Sequence, residues 1–251
     1  MRAHARIAAI ALAVCAVTAV AVRAETIDEV KKKIHEKVSK YKSIQYTLEM
    51  KTDMDTPQFK MSSTTRQTAQ FVNKGDKILA RMESETSSTQ KMGEQENKQE
   101  VKSLDVCDGS FWYSLADQGG EKTATKRKAD VKKEGNPFDP QNGFKQMEEH
   151  FDVKLMPDET VNGKPAWVFE MKLKPGNPAA SMMGRALAYY DKETGVSLKG
   201  VSFDPAGKPT STSTTTDVKI DADIPADRFV FKAPEGVTVQ EMPEQQMPGM
   251  P

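Results

Sequence analysis

The sequence predicts an α+β domain: one large, curved antiparallel sheet accompanied by one long and one short helix. Near the start of the chain and again near residue 147, apolar residues recur at spacings of three and four, which is typical of amphipathic helices. Most of the remaining chain alternates apolar and polar residues between turn-forming residues, which is typical of half-buried strands. Consecutive strands joined by short turns favour an antiparallel sheet.

The first residues predict export. Arg2 and Arg6 precede an apolar run over 7–22, and Val22-Arg23-Ala24 offers a cleavage site, so residues 1–24 are predicted to be a secretory signal peptide cut before Glu25. A lipoprotein signal ending at Cys15 is the alternative, but Val14 is bulky where a small residue is expected.

The mature chain is close to electroneutral. Loss of the three arginines of the signal peptide leaves 33 basic residues against 36 acidic ones, a balance that gives no reason to expect nucleic acid as a partner. Cys107 is then the remaining cysteine, so no intramolecular disulfide is expected. The fold must depend on its apolar core.

The first predicted helix follows the cleavage site. Thr26 and Glu29 form a capping-box pattern, and one helical face is apolar: Ile27, Val30, Ile34, Val38 and Tyr41. Alternation from Ile44 to Met50 then predicts a strand. Further strands are predicted at about 59–72, 77–86, 101–107 and 110–115, with Asp108-Gly109 as the turn of the last hairpin.

The second half of the chain continues the sheet. Residues 119–141 lack periodicity and are predicted to form a long loop, and a short helix is expected at 143–151. Strands follow at 166–173 and, three in succession, between 189 and 220, with Gly200 predicted at a bulge. Phe229 and Phe231 would share one face of a final strand within 227–239. Residues 241–251 are predicted to be a disordered tail.

Three features are candidate sites of chemistry. A buried Cys107 is favoured over a reactive thiol. Glu148-Glu149-His150 finds no second half of a metal site or a catalytic triad elsewhere in the sequence, so neither a metal, a cofactor nor an enzymatic activity is expected. A basic cluster is favoured as a solvated loop over a site for anionic head groups or an acidic partner: Lys122, Lys126, Arg127, Lys128, Lys132 and Lys133.

The order of elements, together with the segments "CDGSFWYSL" and "ADRFVFKAPEGVTV", resembles the LolA-like periplasmic lipoprotein carriers over about residues 26–240. The resemblance implies an incomplete, strongly curved antiparallel β half-barrel over 25–240. Its N-terminal helix and short middle helix would cover the concave face. It also implies a monomeric periplasmic protein whose cavity binds acyl chains of lipoproteins, which a membrane donor delivers and an outer-membrane acceptor takes over.

The inward apolar positions are the candidate ligand-binding residues: Tyr46, Leu48, Met50, Met61, Met82, Trp112, Trp167, Phe169 and Met171. Methionine adapts to flexible chains, although the same alternation also fits a filled core. Relatives of the proteobacterial carrier have an Arg-Pro pair after the early strands, thought to hold the lid, where this chain has Lys74-Gly75. Arg81 in the next strand is expected to be solvated or ion-paired.

The resemblance implies a non-catalytic carrier that transfers lipoproteins or other lipids towards the outer membrane. The alternative is an envelope sensor or protein-interaction domain that uses the same half-barrel without lipid transfer.

Overall fold

The computed structural model describes residues 25–56, 59–130, 135–181 and 183–242. The predicted signal peptide, Lys132, Lys133 and the tail beyond Met242 lie outside these residues. Within the described ranges, no helix has both the length and the apolar character needed to span a membrane.

The described residues form two α-helices and twelve strands. The helices are α1 (Ile27–Val38) and α2 (Gln141–His150). The strands of the first half are β1 (Ser43–Asp55), β2 (Lys60–Asn73), β3 (Ile78–Met92), β4 (Gln95–Cys107), β5 (Phe111–Gln118) and β6 (Glu121–Lys128). Those of the second half are β7 (Phe151–Val161), β8 (Lys164–Leu173), β9 (Arg185–Asp191), β10 (Ser197–Phe203), β11 (Pro209–Ile220) and β12 (Val239–Glu241).

All twelve strands belong to one open, curved sheet in the order β12-β6-β5-β4-β3-β2-β1-β11-β10-β9-β8-β7. Every neighbouring pair is antiparallel except β12 and β6, which are parallel. The predicted α+β class and open half-barrel are confirmed.

Helix α1 begins as the sequence predicts. Thr26 accepts a hydrogen bond from the backbone of Glu29, whose side chain accepts one from the backbone of Thr26, so two backbone N–H groups of the first turn are satisfied. Val30, Ile34 and Val38 are buried. Helix α1 therefore packs its apolar stripe onto the sheet.

The long loop predicted at 119–141 is wrong at its start, because β6 occupies Glu121–Lys128. Along this strand Ala124 is the buried residue, so its sequence shows no apolar alternation. The strand is fixed by pairing with β5 over eight residue pairs.

The bulge predicted at Gly200 is also misplaced. Gly200 pairs regularly with Ser213 and Ala188, and the register shifts between Ser197 and Lys199 instead.

The strand predicted over 227–239 is wrong for most of its length. Residues 226–229 form a short 3-10 helix, and regular pairing begins only at Val239. Pro234 has no N–H to donate to a ladder, and Gly236 has a φ of +77°, so neither suits a strand. Residues 225–238, called here the C-terminal segment, instead cross the sheet: Phe229 is buried, and Phe231 stacks on Tyr113 with ring centroids 5.1 Å apart.

The two faces of the sheet differ in what covers them. The inner face carries both helices, and its core joins them to β1–β4 and β8, with buried residues that include Ile34, Phe71, Phe144 and Phe169. The outer face of β2–β5 is crossed by the C-terminal segment. Farther along the outer face, β7–β10 hold a second apolar cluster that includes Val168 and Val201.

Candidate functional site

All nine predicted site residues lie on the inner face. Cross-strand register places Tyr46 opposite Ala69 and Met82 in one row, and Trp112 opposite Cys107 in the neighbouring row. From the other side of β1, Met50 leads through Ser213, Gly200 and Ala188 to Phe169. Because directly opposed residues share a face, the remaining candidates follow by alternation: Leu48, Met61, Trp167 and Met171.

Two of the nine are core residues. Trp167 and Phe169 are 4% and 0% exposed. Phe169 lies 6.0 Å from Phe144 of α2 and 5.3 Å from Tyr190, measured between ring centroids. Burial also raises the pKa of Tyr190 to about 12. These rings fill the space beneath the helices.

The other seven are only partly covered. Met50 is 37% exposed, and Tyr46, Leu48, Met61, Met82, Trp112 and Met171 are half-buried. Of these, Tyr46, Met82 and Trp112 pack against the helix-covered core, whereas Leu48, Met50, Met61 and Met171 present apolar surface on the inner face beyond it.

Small side chains separate the apolar residues of β1 from those of β8. Three strands lie between β1 and β8, a span of roughly 19 Å at about 4.8 Å per strand. At the level of Leu48–Thr52 on β1 and Phe169–Met171 on β8, the inner positions of these three strands hold only small residues: Ser211, Ser213 and Thr215 of β11, Gly200 and Ser202 of β10, and Ala186 and Ala188 of β9. The larger inner-face residues of these strands, Tyr190 and Ile220, lie at the helix-covered end. Leu48 and Met50 on one side, and Phe169 and Met171 on the other, bound this floor. The floor and its two sides are called the inner groove.

The sequence analysis missed the floor of the inner groove. Serine, threonine, glycine and alanine give no apolar alternation, so nothing in their pattern marks them. The signal that was available is the run of two or three successive small residues at inward positions of each of three consecutive strands.

The inner face also carries very little charge. Charged residues make up 29% of the chain, yet along β1–β6 and β8–β11 the register gives the inner face only Asp105, Glu121 and Arg127. The outer positions of the same strands hold many ion pairs, such as Lys102–Glu85 at 3.3 Å. A surface that contacts only water does not need to exclude charge, so the near absence of charge on the inner face suits contact with the apolar part of a ligand.

Arg81 lies on the outer face, and the prediction that it is ion-paired is confirmed. Its Nε donates to Glu83 Oε1 at 2.5 Å, and its Nη1 donates to the carbonyl of Arg228 at 3.2 Å. Partial burial raises the pKa of Glu83, but hydrogen bonds and charge from Arg81 and Arg228 outweigh it and leave that pKa below its usual value. Lys74-Gly75 forms the turn between β2 and β3, where the backbone N–H of Lys74 donates to Lys77.

The other candidates are structural. Cys107 is 2% exposed and its Sγ donates to the Ile78 carbonyl at 3.3 Å, so its predicted burial is confirmed.

Lys126 of the basic cluster lies in strand β6 and not in the predicted loop. Its Nζ is 3.9 Å from the centroid of the Phe111 ring. Glu148 joins α2 to Lys31 of α1 at 2.5 Å. No group of three metal-ligating side chains occurs within the ranges that the structure describes.

Comparisons with known proteins support the fold. No family model matches the chain. An uncharacterized protein of Methanocaldococcus jannaschii is 29% identical over 135 residues, which cover 53% of this chain. The chain spans only 36% of the length of that curated relative.

Among solved structures, an uncharacterized conserved protein from Thermus thermophilus superposes with a TM-score of 0.51 at 11% identity, over 86% of this chain and 98% of that one. MucB in a Pseudomonas aeruginosa MucA/MucB complex has a TM-score of 0.46 at 16% identity, over 81% and 60%. A LolA superfamily protein from Nitrosomonas europaea has a TM-score of 0.28 at 12% identity, over 83% and 99%. With its open, curved antiparallel sheet and its helices on the inner face, the chain shares the fold of the Thermus thermophilus protein.

Proposed function

We propose that the protein is a non-catalytic, exported carrier that binds acyl chains of lipoproteins or other lipids in the inner groove and transfers them through the periplasm towards the outer membrane. Residues 25–240 would act as the carrier after removal of the signal peptide. The partners would be a donor and an acceptor at the two membranes.

One observation carries this proposal: the inner groove has apolar sides, on which Leu48, Met50 and Met171 are exposed or half-buried, has a floor of small residues, and lies on a face with almost no charge. Burial of apolar chain contributes about 0.8 kcal/mol per CH₂, so a shallow apolar groove suffices for reversible binding. Met50 and Met171 lie on opposite sides of the floor, and their flexible thioethers fit chains of varied shape. Transfer then requires only an acceptor that binds the chain more tightly.

The test is native mass spectrometry of residues 25–251, purified from an envelope extract without detergent, followed by organic extraction. We expect an acylated molecule to be released from the wild-type protein and to be absent from Met50→Asp, because a carboxylate would be desolvated against the acyl chain. Met242→Asp is the matched control, since Met242 has similar exposure (39% against 37%) but lies at the C-terminal end. It should retain its cargo.

The contrary result distinguishes the two functions. If no acyl chain is extracted, and added palmitoylated peptide does not bind either, the carrier role is wrong. The half-barrel would then serve as a sensor or protein-interaction domain, and its partner would bind without any lipid.

A further inference from the structure

The sheet has two edge strands, and they differ in length. β12 comprises only three residues, and so short an edge offers little to another strand. β7 is eleven residues long and pairs with β8 on one side, while its other side is the end of the sheet. That other side is called the free edge. An unpaired edge of this length can pair with a further strand.

The odd-numbered residues at the start of β7 direct their backbone groups to the free edge. The N–H of Lys174 donates to the carbonyl of His150 at 3.0 Å, and these two residues continue the register of β7 with β8. Because hydrogen-bonded pairs alternate along antiparallel strands, the even-numbered residues that follow bond to β8. The N–H and C=O groups that point away from β8 are those of Phe151, Val153 and Leu155.

Nearly all of these backbone groups lack a partner within the ranges that the structure describes. The exception is the N–H of Phe151, which donates to the Met147 carbonyl at the end of α2. No hydrogen bond engages the N–H groups of Val153 and Leu155 or the carbonyls of the three residues. The free edge therefore has both donors and acceptors to offer.

The sequence of this stretch, "FDVKL" at 151–155, complements itself when two copies run antiparallel. With Val153 opposite Val153 of a second copy, Asp152 lies opposite Lys154 on the outer face. On the inner face Phe151 lies opposite Leu155, and each of these pairs occurs twice. Opposite charges and apolar residues directly across antiparallel strands stabilise their pairing. Asp152 and Lys154 are exposed, and among the described residues neither has an ion-pair partner.

Both charge and length favour this register. A two-fold axis one residue away, at Asp152 or at Lys154, would place like charges opposite each other. An axis two residues away would run the strand against α2, which ends at His150, or against the register shift that follows Met156. In the central register, the end of α2 in each copy meets the start of that shift in the other.

We propose that the free edge of β7 is a self-association site, at which two copies of the chain pair antiparallel around a two-fold axis at Val153. Such an interface is isologous, so each contact occurs twice. The Val153 N–H donates to the Val153 carbonyl of the second copy, and the Leu155 N–H donates to its Phe151 carbonyl. The proposal departs from the monomer that the resemblance implies, and it does not depend on lipid binding.

The interface is small, because only the five residues 151–155 of each copy pair. Interfaces that bury less than about 1,200 Å² are typical of transient complexes, so we expect a dimer that dissociates on dilution in the micromolar range. The two sheets would form one continuous sheet with both inner faces on the same side. Val153 lies opposite Met171 of β8, so the β8 sides of the two inner grooves would be roughly 14 Å apart, three steps of about 4.8 Å.

Sedimentation equilibrium of residues 25–251 tests the site. The wild-type protein should show a monomer–dimer equilibrium. Val153→Pro should raise the dissociation constant of the dimer by about tenfold or more, because it removes the donor at the axis. The N–H of Val153 does not bond to β8, and proline is tolerated at such an edge position. The variant should therefore still unfold cooperatively in urea.

The register is tested by charge reversal. Asp152→Lys and Lys154→Asp each oppose like charges twice, so each alone should raise the dissociation constant by about tenfold. An equimolar mixture of the two variants should regain the wild-type affinity, because the mixed dimer places two lysines of one copy opposite two aspartates of the other. Mixing would not rescue variants that had merely lost β7. Glu100→Lys is the control, since it makes the same charge change at an exposed outer-face position of β4 and should leave the dimer intact.

The contrary results are specific. A wild-type protein that stays monomeric at its highest soluble concentration would overturn the proposal. If a dimer forms but Val153→Pro and both charge variants leave it unchanged, its interface lies elsewhere and the proposal is wrong. Loss of the dimer in both charge variants without recovery in the mixture would exclude the register. None of these results bears on the carrier function, which native mass spectrometry tests separately.

Discussion

Gly200 lies near the middle of the groove floor, where the size of one side chain decides how deep the groove is. Its backbone φ is not in the left-handed region, so glycine is not required for conformational reasons. A Cβ at this position would approach Ser213 Oγ to 2.8 Å, and that hydroxyl can rotate away. The absence of a side chain at Gly200 therefore matters for space rather than for backbone strain.

Gly200→Leu should fill the groove and lower the affinity for palmitate by about tenfold, since a displaced chain loses the burial of about two CH₂ groups at about 0.8 kcal/mol each. The midpoint of urea unfolding should change little, because strands favour leucine over glycine. Gly143→Leu is the matched control: it lies in α2 with open space around its Cβ position and should leave palmitate binding intact. Unchanged binding by Gly200→Leu would exclude the floor as the ligand site.

The sequence predicted on which face of the sheet each candidate residue lies, but not whether a helix covers that residue. Alternation is a property of one strand, so Tyr46, Met50 and Phe169 could all be assigned to the inner face. Whether a residue is covered depends on α1 and α2, which pack over Phe169 and leave Met50 exposed. That difference comes from packing between distant elements and has no local sequence signal.

At the scale of elements, the C-terminal segment shows how an irregular stretch is fixed to a sheet. Arg228 donates to Glu83 at 3.1 Å and to Gln70 at 3.2 Å, and its carbonyl accepts from Arg81. These contacts join three neighbouring side chains on β2 and β3. They replace the ladder that Pro234 and Gly236 do not permit.

Arg228→Ala should lower the free energy of unfolding by about 1 kcal/mol, the upper part of the range for exposed ion pairs, because it leaves both Glu83 and Gln70 without this donor. It should also speed proteolysis within 230–238. Arg66→Ala removes an exposed outer-face pair with Glu49, 3.7 Å apart, and should change the urea midpoint very little. Equal effects of the two substitutions would show that Arg228 has no special part in holding the segment.

The element errors have a common physical cause. β6 has little apolar alternation and is held by its pairing with β5, whereas 227–231 has strand-like alternation but packs its rings on an existing face. In both segments the partner surface decides the conformation, and single-strand propensity is weak beside it. The helix at 143–151 and the strand at 166–173 were predicted well because each has strong periodicity of its own.

For the whole molecule, the most consistent feature is the division of charge between the two faces of one sheet. Long side chains with charged ends cover the outer face, while the open part of the inner face is lined by hydroxyl, amide, small and apolar groups. Pairs such as Ser84–Ser103, with oxygens 2.8 Å apart, satisfy hydroxyls without introducing charge. A solvent-exposed face with so few charged residues is not required for stability, and it is suited to contact with apolar groups.

This division predicts opposite results for one change at two consecutive residues of β11. Ser213 faces the groove floor opposite Met50, and Thr212 faces outward opposite Lys51. Ser213→Glu should weaken palmitate binding by about tenfold or more, because the acyl chain would desolvate a carboxylate. Thr212→Glu should bind normally, since its carboxylate stays in water beside Lys51. Titration calorimetry on both variants, with urea midpoints to verify folding, would overturn the assignment of the inner face if Thr212→Glu lost as much affinity as Ser213→Glu.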